Sequence, residues 1–217
     1  MPNTENLNAL AGQIAKELLN IKAVALRPDQ PFTWTSGIIS PIYCDNRLTM
    51  SYPAIRSLIA DGFVQLIRQY YPDAEVIAGT ATAGIPHAAW VAERMNLPMI
   101  YIRDKAKGHG KKNQIEGLLP EGAKTVVIED LISTGGSSLK AALAVNEAGG
   151  NALGVAAIFS YQLDQAEATF NEADMPLHTL SNYTALIGEA VKQGSIRESD
   201  VELLQSWRKD PQAFGKK

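Results

Sequence analysis

One cysteine, Cys44, stands in 217 residues, which excludes an internal disulfide and a cysteine-rich zinc site. The three histidines, His87, His109 and His178, are scattered without the spacing of a metal-ligand set. No uninterrupted apolar run approaches the roughly 20 residues of a membrane-spanning helix, and Met1-Pro2-Asn3-Thr4-Glu5 lacks a basic segment followed by an apolar one. A cytoplasmic protein with no membrane partner is therefore expected, and the glycosylation-like triplet Asn182-Tyr183-Thr184 reads as chance. Basic residues form no dominant face and the net charge is -3, so no nucleic-acid partner is expected either. Neither Gly-x-x-x-x-Gly-Lys-[Ser/Thr] nor Gly-x-Gly-x-x-Gly occurs, which removes ordinary P-loop NTPases and Rossmann dehydrogenases.

What is present is a globular composition, 46% hydrophobic and 20% charged, long enough for one domain with a substantial core. Leu7, Leu10, Ile14 and Leu18 space an amphipathic first helix, and Ile55, Leu58, Ile59, Phe63, Leu66, Ile67 and Tyr70 a long second one. Between them lies an irregular segment from Arg27 to Arg47. Strands and helices then alternate: Val76-Ile77-Ala78, a helix from Gly84 to Met95 with Pro86 in its first turn, and Met99-Ile100-Tyr101-Ile102. A third strand near Val126 with its helix, and a fourth at Val155 to Phe159, continue the pattern. Such alternation predicts an α/β fold with a parallel sheet and right-handed crossovers. From Tyr183 on, two helices are expected, separated near Gly194-Ser195.

The stretch from Val126 to Ser138 carries the most chemistry. A β-branched run ends in the two acids Glu129 and Asp130, passes into a small hydroxyl-rich glycine turn that includes Ser133-Thr134-Gly135-Gly136-Ser137, and opens a helix marked by Leu139, Ala142 and Leu143. Open α/β sheets bind ligands at the carboxyl ends of strands, and free N–H groups at a helix start receive phosphate. With no lysine in the turn, the two acids point to hydroxyl groups or a metal on the ligand. A Ser/Thr/Gly turn is also an ordinary helix cap, and that reading stays open for this turn taken alone.

Three further segments qualify. Thr80-Ala81-Thr82-Ala83-Gly84 repeats the strand, small-residue turn and helix start; alone it is equally a tight connection. Arg103 to Glu116 is too polar to pack, and its glycine-broken cations, Lys105, Lys107, Lys111 and Lys112 beside His109, suit a lid closing over an anion or a solvated surface loop. Phe32 to Arg47 reads as an N-terminal hairpin or loop in which Trp34 and Tyr43 are core aromatics, though an aromatic-lined edge is also how a planar base is held.

Together these residues resemble a known family. Val127 to Ser137 resembles the phosphoribosyl pyrophosphate (PRPP) signature of the type I phosphoribosyltransferases. Phe32-Thr33-Trp34-Thr35-Ser36-Gly37, Ser40-Pro41-Ile42-Tyr43, Arg103-x-x-x-Lys107-x-His109-Gly110 and Asn113-Gln114-Ile115-Glu116-Gly117 narrow the resemblance to the orotate phosphoribosyltransferases. The resemblance runs from about Leu18 to Ser160. It implies a type I phosphoribosyltransferase fold of residues 1–217, with about 1–47 forming an N-terminal hood and a mobile catalytic loop. It further implies a Mg2+-dependent transfer from PRPP to orotate in a homodimer whose loop acts across the interface.

Carried over by residue, the resemblance implies catalytic roles for Lys107, His109 and Asp130. PRPP would meet Arg103, Lys107, His109, Glu129, Asp130, Leu131, Ile132, Ser133, Thr134, Gly135, Gly136 and Ser137. Thr80, Ala81, Thr82, Ala83 and Gly84 would form the pyrophosphate turn, Ser133 and Tyr43 would touch orotate, and Mg2+ would be bound mainly through PRPP. Three positions depart from enteric relatives: Asp104 and Ala83 stand where those carry lysine, and Ser160 to Gln165 lacks their arginine. Arg27, the cation ahead of Phe32, is therefore expected to meet the orotate carboxylate. The rival expectations are a phosphoribosyltransferase for another base and a PRPP-sensing regulator.

Overall fold

The computed structural model describes residues 4–34, 37–104 and 114–214, with side chains from residue 6 onward. Helix α1 (Thr4–Asn20) buries Leu10, Ile14 and Leu18, the spacing expected of one face. Four short strands follow, β1 (Val24–Leu26), β2 (Phe32–Thr33), β3 (Ile39–Ser40) and β4 (Ile42–Cys44). They form two antiparallel pairs, β1 with β4 and β2 with β3. A 3-10 turn over Asn46–Ser51 leads into α2 (Pro53–Tyr70), started by a proline at its first position, where the missing N–H costs nothing.

The alternating part then runs β5 (Val76–Thr80), α3 (Gly84–Met95), β6 (Met99–Ile102), β7 (Ile115–Glu116), β8 (Lys124–Ile132), α4 (Gly136–Glu147), β9 (Asn151–Ser160), α5 (Asp164–Glu172), β10 (Leu177–Asn182), α6 (Tyr183–Lys192) and α7 (Val201–Lys209). Six strands lie in the order β10-β9-β8-β5-β6-β7, all parallel except the antiparallel edge pair β6–β7. Side chains alternate across this sheet. Val126, Ile128, Ala156 and Ile158 face a core built with α1, α2, α3, α6 and α7, while Val127, Val155 and Ala157 face a second core built with α4 and α5.

The α/β class and the parallel sheet are as the sequence predicts, and the additional elements include β1, the 3-10 turn over Asn46–Ser51, α5, β10 and β7. Helix α5 buries only Ala166 and Phe170, so no apolar stripe announces it. Strand β10 interleaves His178, Thr179 and Ser181 with its leucines, which a sheet edge tolerates, and β7 is two residues long. Strand β8 also runs past the acids. It stays paired with β9 as far as Ile132 and Ser160, so Glu129 and Asp130 lie within the strand and the turn begins at Ser133.

Candidate active site

Pairing with β9 holds the end of β8 rigid, and burial then sets the chemistry of its acids. Glu129 is buried, and its Oε1 accepts the Asp130 N–H at 3.0 Å. Desolvation first, and the Asp130 charge second, push Glu129 up to about 8; burial raises Asp130 as well. Burial thus favours the protonated form of this pair. The carbonyl of Asp130 accepts Asn46 Nδ2 at 2.7 Å, which ties the segment after β4 to the end of the central strand.

Beyond the acids the chain turns through Ser133, Thr134 and Gly135 into α4. Gly135 has φ 81°, and a Cβ there would lie 2.8 Å from the Phe170 ring, so conformation and space both call for glycine. No side chain caps α4, and Thr134, Gly136 and Ser137 are exposed, so its first-turn N–H groups face outward without a side-chain acceptor. The neighbouring turn after β5 is built alike. Thr80 Oγ1 donates to the Ile128 carbonyl at 3.1 Å and the Ala81 N–H to Ile102 at 2.8 Å. The Ala81–Thr82 peptide is cis. A Cβ on Gly84 would collide with the Ile128 carbonyl and the Thr80 hydroxyl, so this glycine permits the close approach of turn and strand.

Two clefts share residues of the 131–137 segment. One, of about 160 Å3, is lined by Thr80, Ala81, Arg103, Asp104, Ser137 and Lys140, among others. The second, of about 370 Å3, is lined by Thr33, Trp34, Tyr43, Cys44, Leu131, Ser133 and Tyr161. Its wall is aromatic: Trp34 stacks on Tyr161 with centroids 5.4 Å apart, and Trp34 Nε1 donates to the Ile42 carbonyl at 3.0 Å. Burial, then the Asp130 and Asp45 charges, push the Cys44 thiol up, so it presents a neutral group to the cleft.

The predicted site residues divide. Thr80, Ala81, Arg103 and Ser137 line the first cleft and Tyr43, Leu131 and Ser133 the second, whereas Glu129 and Asp130 line neither and lie on the strand that leads to both. Lys107 and His109 lie outside the described residues. The ends of their segment are fastened, because Arg103 N–H donates to Gln114 O at 2.9 Å and Gln114 Nε2 to Arg103 O at 2.7 Å. Arg103 also pairs with Glu116 at 3.3 Å. Arg27 does not line the second cleft; its guanidinium lies 4.7 Å above the Phe32 ring, which in turn packs on Tyr43 at 5.7 Å. Tyr43 itself is 46% exposed, so it is a cleft aromatic and not the core residue its segment suggests alone.

His87, between Phe63 and Trp90, and His178, stacked on Tyr70, are aromatic neighbours in the packing. Sequence reasoning missed Asn46, Tyr161 and Lys140. Tyr161 follows the fourth strand directly, and that position at a strand's carboxyl end was its available signal.

A family model for the phosphoribosyl transferase domain matches residues 51–193. The chain is 60% identical over 210 residues to the orotate phosphoribosyltransferase of Enterococcus faecalis, covering 97% of this chain and 100% of that protein. To the enzyme of Bacillus subtilis it is 56% identical over 200 residues, 92% of this chain and 93% of the relative. This chain belongs to the orotate phosphoribosyltransferases. The crystal structure of orotate phosphoribosyltransferase from Aeropyrum pernix superposes with a TM-score of 0.72 at 27% identity, over 84% of this chain and 99% of that one. Against that background, Asp104 lies in the wall of the first cleft, and Ala83 leaves the turn after β5 without a cation. Where the segment after β9 has no arginine, Ser160 Oγ accepts the Gln162 N–H at 2.9 Å.

Proposed function

We propose that the family's reaction runs across the two clefts: the 5-phosphoribosyl group of PRPP passes to N1 of orotate, giving orotidine 5'-monophosphate and pyrophosphate, a step of pyrimidine biosynthesis. The observation that carries this layout is the shared wall. The strand end bearing Glu129 and Asp130 leads directly into the 131–137 segment, which contributes Leu131 and Ser133 to an aromatic cleft and Ser137 to a polar one. A bound pair fits that order, with the flat base of orotate in the aromatic cleft, the diphosphate of PRPP in the polar one and the ribose between them.

In this reading the Ser133 to Ser137 turn holds the 5-phosphate on its backbone N–H groups and hydroxyls. Glu129 and Asp130 accept hydrogen bonds from the ribose hydroxyls, which lowers the carboxyl pKa values that burial has raised. The transition state has oxocarbenium character, so carboxylates beside the ribose stabilise the growing positive charge. The Thr80 to Gly84 turn and Arg103, joined by Lys107 and His109 on a closing lid, neutralise the departing diphosphate. Orotate sits against Tyr43 and Ser133, and Arg27, swinging off Phe32, meets its carboxylate, since a buried carboxylate without a partner would be costly.

Mg2+ fits this donor set as a ligand-borne ion. Among the described residues no group of three or more His, Cys, Asp or Glu side chains is placed to hold a metal, and the acids at the end of β8 number two, Glu129 and Asp130. Mg2+ prefers phosphate oxygens and water to an all-protein cage. Bound through PRPP, it would supply charge neutralisation at the diphosphate. The reading includes a cytoplasmic homodimer whose lid reaches the neighbouring subunit, and one domain over residues 1–217 with about 1–47 as its hood. Among the described residues no helix is long and apolar enough to cross a membrane.

Steady-state kinetics on Asp130→Asn tests the ribose role. The variant should remain folded and lose roughly ten- to a hundredfold in turnover, the effect of about 1.5–3 kcal/mol for one charge-assisted contact. Near-normal turnover in the folded variant would remove Asp130 from the ribose. In the same measurement Arg27→Ala should raise the KM for orotate, or narrow its advantage over uracil, with the KM for PRPP nearly fixed; a rise confined to PRPP would move Arg27 to the pyrophosphate end.

A further inference from the structure

The polar cleft must receive a multiply charged diphosphate, yet one of its walls is poor in cations. The turn after β5 reads Thr80-Ala81-Thr82-Ala83-Gly84, with no basic side chain. The lining also offers Arg103, which is already paired with Glu116, and next to it in the chain Asp104 adds a negative charge. Anion binding there calls for a further cation on the scaffold itself.

Lys140 stands in that position. It is on α4, three residues beyond Ser137, and three residues along a helix bring two side chains onto one face. Both line the same cleft as Thr80, Ala81 and Arg103. Lys140 is exposed and makes no hydrogen bond or ion pair among the described residues, so its ammonium group is uncommitted. Its stem starts from a packed helix whose Ala141, Ala142 and Val145 are buried against the sheet, which fixes where the charge can reach.

We infer that Lys140 is a diphosphate-binding residue of this site, supplying from α4 the positive charge that the Thr80 to Gly84 turn lacks. The inference rests on the PRPP reading above and adds a residue to it. Because α4 also begins at the proposed 5-phosphate turn, the ammonium has two phosphate groups to choose between; lining one cleft with Thr80 and Arg103 assigns it to the diphosphate.

The test is calorimetric titration of inorganic pyrophosphate with Mg2+, and separately of orotidine 5'-monophosphate, into wild type, Lys140→Ala, Lys140→Gln and Lys140→Arg, with kinetics alongside. Both neutral variants should weaken pyrophosphate and raise the KM for PRPP about tenfold, the cost of one charge-assisted contact. Orotidine 5'-monophosphate should bind within about twofold of wild type, and Lys140→Arg should recover most of the loss. Unchanged pyrophosphate affinity in the neutral variants would overturn the assignment. A fall in orotidine 5'-monophosphate affinity as large as that in pyrophosphate would also overturn it, by placing Lys140 on the 5-phosphate. Wild type that consumes no orotate with PRPP would defeat the underlying reading; active wild type with indistinguishable variants would defeat the Lys140 inference alone.

Discussion

Glu129 is the side chain whose placement costs the fold most visibly. A carboxyl ordinarily near 4.5 is pushed up to about 8, first by burial and then by Asp130. The folded chain therefore holds this proton more tightly than the unfolded chain, and the associated stability is present below pH 4.5 and lost as pH rises through about 8. Asp130, raised in the same direction, adds to that trend. Glu129→Gln removes the ionisation, so the variant should gain on wild type as pH increases. In urea denaturation the difference should be small at pH 5 and reach roughly 1–3 kcal/mol in favour of glutamine at pH 8.5. A difference that does not change with pH would contradict the buried-acid description.

At the scale of elements, the strand–turn–helix units were the legible part. Val126-Val127-Ile128 before a run of small residues and a Leu139-Ala142-Leu143 stripe define β8, its turn and α4 without reference to the rest of the chain. The reach of β8 beyond its acids was not legible, because it depends on pairing with β9 up to Ser160. Lys140 was hidden for a related reason: its role depends on which way α4 faces the β5 turn, a tertiary fact. Arg27 was visible as a cation, but its stacking on Phe32 follows from the fold of the N-terminal strands.

The turn after β5 gives an element-scale test, since Gly84 lets it press against the Ile128 carbonyl. Gly84→Ala should force turn and strand apart, costing roughly 1–3 kcal/mol by overpacking and raising the KM for PRPP. Wild-type thermal midpoint and KM together would show that the close approach has no consequence.

For the whole molecule, the lid proposed for the 103–114 segment would link chemistry to assembly. Its ends are fastened at Arg103 and Gln114, while Lys107 and His109 lie between them. A lid that serves the neighbouring subunit predicts complementation: mixing Lys107→Ala with Asp130→Asn should restore one intact site in each heterodimer. Activity should rise well above that of either variant, and no recovery in verified heterodimers would mean the loop serves its own subunit.

The base that this site accepts is read most directly by PRPP-dependent consumption of orotate in the presence of Mg2+, run beside uracil, hypoxanthine and adenine. Orotate should be consumed, with stoichiometric pyrophosphate and orotidine 5'-monophosphate, at a kcat/KM at least about a hundredfold above each other base, the preference expected when a carboxylate has a dedicated partner. Faster consumption of any of the other three, or no PRPP-dependent consumption of orotate, would contradict the account.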